Sequence, residues 1–101
     1  MKLVIVTVVD QYRKDVVKLF KKAEIESFSE SDIEGFKTRS AGNLASNWFA
    51  GERIGADSQV FFSFAQEERV DVLLELIKEF NQNLESNNPM RAVVVPIEKY
   101  I

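Results

Sequence analysis

The sequence predicts an α+β fold of four strands and two helices, in the order β-α-β-β-α-β. Two stretches repeat apolar residues with the helical period. Four others are rich in β-branched and aromatic residues or alternate with period two. Between the second and third of those four lies a long irregular stretch, residues 37–57.

Residues 2–9, KLVIVTVV, are apolar at odd and even positions alike, the mark of a strand buried on both faces. Asp10 stands where the N-cap of the next helix is expected. In that helix Val16, Leu19, Phe20 and Ala23 fall at i, i+3, i+4 and i+7, one apolar stripe. Residues 28–36, FSESDIEGF, alternate, with Phe28, Glu30, Asp32, Glu34 and Phe36 on one side of a second strand. A third strand is expected over 58–65, SQVFFSFA. Gln66 and Glu67 then begin a long helix whose Val70, Leu73, Leu74, Ile77, Phe80 and Leu84 keep one face apolar. Glu67 and Glu68 sit at its start, where the helix dipole favours negative charge. ESNNPM, 85–90, carries turn chemistry, and MRAVVVPI, 90–97, is the last strand. Pro96 inside it points to a sheet edge, because proline cannot donate to a ladder.

This is the order of the ferredoxin-like fold, in which both helices cover one face of a four-stranded antiparallel sheet. At 101 residues the chain has the length of a single domain. Yet the strands are apolar on both sides. Val4, Val6 and Val8 oppose Leu3, Ile5 and Val9; Phe62 and Phe64 are set against Val60 and Phe61; Ala92 and Val94 oppose Val93 and Val95. A lone subunit would leave one set in water, and a contiguous patch of that kind marks an interface. The expectation is a homo-oligomer with closed symmetry, with two or three subunits equally open on physical grounds. The alternative is that 37–57 folds back over the bare face.

Composition excludes several chemistries. The chain has no cysteine and no histidine, which removes disulfides, thiolate catalysis, zinc–sulfur sites and the commonest general base. A formal net charge of −3 and a pI near 5.0 argue against nucleic acid. The lysines of KLFKK, 18–22, read as a solvated helix face. The apolar run at 3–9 is too short to span a bilayer, which needs ~20 residues, so a cytoplasmic protein is expected. Nothing brings carboxylate, lysine or tyrosine together as an acid–base pair, so no enzyme is expected.

Three groups remain as candidate sites. Glu30, Asp32 and Glu34 would project to one side of a strand at ~6.6 Å spacing, suiting a hard cation such as calcium or magnesium. The competing reading is a charged edge strand that discourages aggregation. Lys37, Arg39, Arg53 and Arg91 could gather round a carboxylate or phosphate at a subunit cleft. Trp48 and Phe49, with Asn47 and Arg53 nearby, place large apolar rings in a polar loop. An aromatic side chain buries ~150–250 Å², so the loop is expected to dock, either on its own oligomer or on a partner.

The opening MKLVIV, the DIEGFKTR strand end, the long loop and the closing VVVPIEKYI together resemble the PII-like superfamily of small trimeric signalling proteins, which includes the nitrogen regulatory protein P-II. The resemblance implies a trimer in which 37–57 is the T-loop, an arm that touches a partner protein, with Asn47, Trp48, Phe49 and Arg53 in the contact. Family members bind adenine nucleotides in clefts between subunits. The matching positions are Gly35, Phe36, Lys37 and Arg39 at the loop base and Asn87, Asn88 and Arg91 at the turn before the last strand. Lys37 stands where the nitrogen regulators have a second glycine, ESNNPMR replaces their glycine-rich turn, and no tyrosine lies in the loop. The chain is therefore more similar to divergent branches, among them PII-like proteins associated with metal-efflux transporters. The divalent-cation tolerance (CutA) proteins share the fold, and a cation-binding role of their kind is the alternative expectation.

Overall fold

The structure, a computed structural model, describes residues 1–35, 56–84 and 88–101. Among them run β1 (Lys2–Val9), a 3-10 turn (Asp10–Tyr12), α1 (Arg13–Lys22), β2 (Ser29–Gly35), β3 (Ala56–Ala65), α2 (Glu67–Gln82) and β4 (Arg91–Pro96). The four strands form one sheet in the order β2-β3-β1-β4, and every neighbouring pair is antiparallel. This α+β arrangement is compatible with the ferredoxin-like fold. β4 lies at an edge, where Pro96 removes no ladder bond that the sheet interior needs. Among the described residues no helix is long and apolar enough to cross a membrane.

The core lies between the sheet and the two helices. Val4, Val6 and Val8 of β1 and Phe61 of β3 meet Val16, Leu19 and Phe20 of α1 and Val70, Leu73 and Ile77 of α2 in one buried cluster. Phe28 stacks on Phe20 at 4.9 Å between ring centres and reaches Phe61 at 5.9 Å. Ser63, a buried polar side chain of this layer, is satisfied by donating to the carbonyl of Ser27 at 2.5 Å.

α1 ends in a Schellman motif. Ile25 N–H bonds the Phe20 carbonyl at 2.9 Å and Glu24 N–H bonds that of Lys21 at 3.0 Å. Glu24 takes the left-handed conformation that the motif requires, φ 60°, at a position usually held by glycine. Buried Ile25 packs in the core beside Phe20, the apolar contact that accompanies such an ending.

Several boundaries differ from expectation. Asp10 does not cap α1: the helix starts at Arg13 after the 3-10 turn, and no side chain caps it. β3 begins at Ala56, two residues before the expected start, because its pairing with β2 continues to Gly35↔Ala56. α2 stops at Gln82, leaving Leu84 outside the helix. The register also corrects the pairing of apolar sets on β3. Val60 shares a face with Phe62 and Phe64, and of these four apolar residues only Phe61 points to the core.

Candidate functional site

Alternation along the strands gives the sheet a second face, away from the helices. Its rows follow from the register. Leu3 lies between Phe64 and Val95, Ile5 between Phe62 and Val93, and Thr7 between Val60 and Arg91. Phe64 is 56% exposed, Val95 41% and Phe62 40%. The two phenylalanines meet edge to face, 6.4 Å apart, and form a small aromatic ridge. The apolar face expected from the sequence is thus present.

Arg91 closes the last of these rows. Its Nε is buried and, among the described residues, has no hydrogen-bond partner. A guanidinium is permanently charged, and a buried N–H without an acceptor costs ~1–3 kcal/mol. Such a group is suited to an anionic oxygen arriving from outside the chain.

The turn before Arg91 is held by a contact that sequence reasoning missed. The side-chain amide of Asn81, near the end of α2, donates from Nδ2 to the Met90 carbonyl at 3.0 Å and accepts the Met90 N–H at Oδ1 at 2.9 Å. Asparagine here imitates a paired strand neighbour. Met90 itself is 2% exposed, so the clamp is backed by core packing. Together they set where β4 begins and hence where Arg91 stands. Asn88 lies on the segment so held. The only sequence hint was a polar residue next to the apolar stripe of α2, a signal shared with any solvated position.

On the helix side of β2 the acidic run has found partners. Arg13 of α1 holds Glu30 with both arms of its guanidinium, Nε to Oε2 and Nη2 to Oε1, the latter at 2.6 Å. Hydrogen bonding to Glu30, and then its charge, raise the Arg13 pKa above its ordinary value. Gln59, 5% exposed, donates its amide to two carboxylates at once, Asp10 Oδ1 at 3.0 Å and Asp32 Oδ1 at 2.5 Å. Asp10, Asp32, Glu34, Asp57, Ser58 and Gln59 line an open cavity of about 480 Å³ there. Glu30, Asp32 and Glu34 do share a side, as their spacing predicts. However, no group of three or more acidic residues that could hold a metal ion forms among the described residues. Glu30 is occupied by Arg13 and Asp32 by Gln59, which gives the bland reading of the run a specific form: it ties the edge strand to α1 and β3.

Of the remaining sequence candidates, Gly35 ends β2, opposite Ala56. Phe36, Lys37, Arg39, Asn47, Trp48, Phe49, Arg53 and Asn87 lie outside the described residues. No protein-family model and no curated protein matches this chain.

Proposed function

We propose that this chain is a non-enzymatic PII-like regulatory protein of the cytoplasm. It self-associates through the open sheet face, takes a small anionic ligand at the resulting cleft and contacts a partner protein through its 37–57 arm. The observation that carries the reading is the exposed apolar group of Phe62, Phe64 and Val95 on the open sheet face, with Arg91 at its end. Covering the exposed 40% of Phe62 and 56% of Phe64 removes roughly 80–110 Å² of each ring from water, about 2–3 kcal/mol per ring at ~25 cal/mol per Å². A second copy presenting the same rows is the natural cover, and the trimer of the resemblance is one closed solution.

In such an assembly Arg91 borders the seam, so the positive charge of its guanidinium would stand beside a cleft between copies. Asn88 lies three residues upstream, and Gly35 ends the strand that leads toward Phe36, Lys37 and Arg39. These are the positions at which the family binds adenine nucleotides, so ATP is the first ligand to try. The partner, by the same resemblance, is a membrane transporter, reached through Asn47, Trp48, Phe49 and Arg53.

Light scattering at micromolar concentration tests the assembly. A wild-type particle of 11.6 kDa overturns the reading, whereas a multiple of that mass which falls to one subunit in Phe62→Glu/Phe64→Glu supports it. A thermal-shift series with ATP and with inorganic phosphate tests the ligand. A ligand at ~100 times its dissociation constant adds ~2.7 kcal/mol, and Arg91→Ala should abolish that gain.

A further inference from the structure

The outer surface of the helix layer is as ordered in charge as the open sheet face is in hydrophobicity. On α1, Lys14, Lys18, Lys21 and Lys22 are all exposed, and at ~100° per residue they fall within an arc of ~100°. That arc lies opposite buried Val16, Leu19, Phe20 and Ala23, so the lysines form a ridge pointing away from the sheet. On α2, Glu68, Asp71, Glu75 and Glu79 are exposed and fall within ~80°, opposite buried Val70, Leu73 and Ile77. The ridges run ~12 Å and ~16 Å along their helices at 1.5 Å per residue. Val72, 47% exposed, lies at the margin of the acidic ridge.

Neither ridge is explained within the subunit. No ion pair joins α1 to α2, and among the described residues the four lysines form none; Glu75 meets only its own-helix neighbour Lys78, at 3.3 Å and in solvent. The spacing is unfavourable locally. Lys14–Lys18, Lys18–Lys22, Asp71–Glu75 and Glu75–Glu79 are like-charge pairs at i,i+4, each destabilising its helix by ~0.2–0.5 kcal/mol. Helix dipoles account for only part of each ridge. Lys21 and Lys22 in the last turn of α1 and Glu68 in the first turn of α2 sit at favourable poles, whereas Lys14 in the first turn of α1 and Glu79 in the last turn of α2 each lie at the pole that repels them.

We infer that the helix layer is a self-complementary docking surface for a second copy of this chain, with the basic ridge of each copy seated on the acidic ridge of the other. The geometry selects the symmetry. α1 and α2 lie side by side on one face of the sheet, so a two-fold axis parallel to them brings each α1 over the partner's α2. The perpendicular two-fold in the same plane would stack like on like. The contact satisfies both ridges twice and leaves the open sheet face free. A flat anionic surface fits less well, because whatever lysines attract on α1, the neighbouring acids of α2 repel.

The test is the particle mass at ionic strengths of about 0.01 M and about 1 M, where charges act over ~30 Å and ~3 Å respectively. Wild type should gain mass at low salt relative to high salt, because the apolar sheet contact persists in both and each sheet-bonded particle carries one outward helix layer per subunit through which it joins others. The variant Lys14→Glu/Lys18→Glu/Lys22→Glu and the variant Asp71→Lys/Glu75→Lys/Glu79→Lys should each keep the high-salt mass throughout. An equimolar mixture of the two should gain mass again at low salt, since the substituted positions of each ridge then face the opposite sign. A wild-type mass independent of salt overturns the inference, as does a gain of mass by either variant alone at low salt. Lysine-dependent co-sedimentation with vesicles of anionic lipid, without a change in mass, would assign the basic ridge to a lipid surface and overturn it too.

Discussion

Asn81 holds Met90 by both of its backbone groups, at 3.0 and 2.9 Å, and so ties the end of α2 to the start of β4. Asn81→Ala leaves a buried N–H and carbonyl without partners, at a cost of about 2 kcal/mol. Thermal unfolding should fall by roughly 8–16 °C for a domain of this size. Asn81→Asp keeps the acceptor for the Met90 N–H and loses the donor, so its midpoint should lie between the two. Equal midpoints for all three proteins would show that core packing of Met90 alone sets the strand start.

Arg91 offers a contrast between stability and function. Arg91→Met keeps the stem and removes the buried, unpartnered Nε–H. Urea unfolding in the absence of ligand should show stability unchanged or raised by up to about 1 kcal/mol. The same variant should lose any thermal shift produced by ATP or phosphate. A destabilisation of several kcal/mol would mean that the guanidinium already has its partner within the folded chain.

Glu24 occupies a left-handed position at the end of α1. The conformation costs an L-residue with a Cβ roughly 1–2 kcal/mol that glycine avoids, partly offset by the greater freedom of glycine when unfolded. Glu24→Gly should therefore raise stability by about 0.5–1 kcal/mol, read from the midpoint of chemical denaturation. A loss would show that the carbonyl it presents to Arg69 Nη1, at 3.1 Å, depends on the side chain present.

Gln59 separates two carboxylates while bonding both. Gln59→Leu removes both donors and leaves Asp10 and Asp32 facing each other across an apolar side chain. Stability at neutral pH should fall by about 1–3 kcal/mol. An unchanged midpoint of urea denaturation would show that neither bond contributes to stability and would reduce the role of Gln59 to packing.

The four strands and two helices were legible in the sequence because each element's period is written into its own residues. Val16, Leu19, Phe20 and Ala23 announce one helical face, and Pro96 announces an edge strand, without reference to anything distant. The apolar character of both sheet faces was legible for the same reason. A single residue of phase was enough to blur β3, however. SQVFFSFA is apolar or small on either parity: alternation sets Phe61 apart from Val60, Phe62 and Phe64, but only the register with β1 decided which set faces the core.

The chain by itself determined which segments are helix and which are strand, and which chemistries it lacks, since those properties are local or compositional. Tertiary structure alone decided the pairings: Asn81 with Met90, Gln59 with Asp10 and Asp32, Arg13 with Glu30, and the solitude of the Arg91 Nε. Each is a contact between residues on different elements, or the lack of one. A polar side chain carries no mark of its distant partner, because the partner is chosen by how the elements pack.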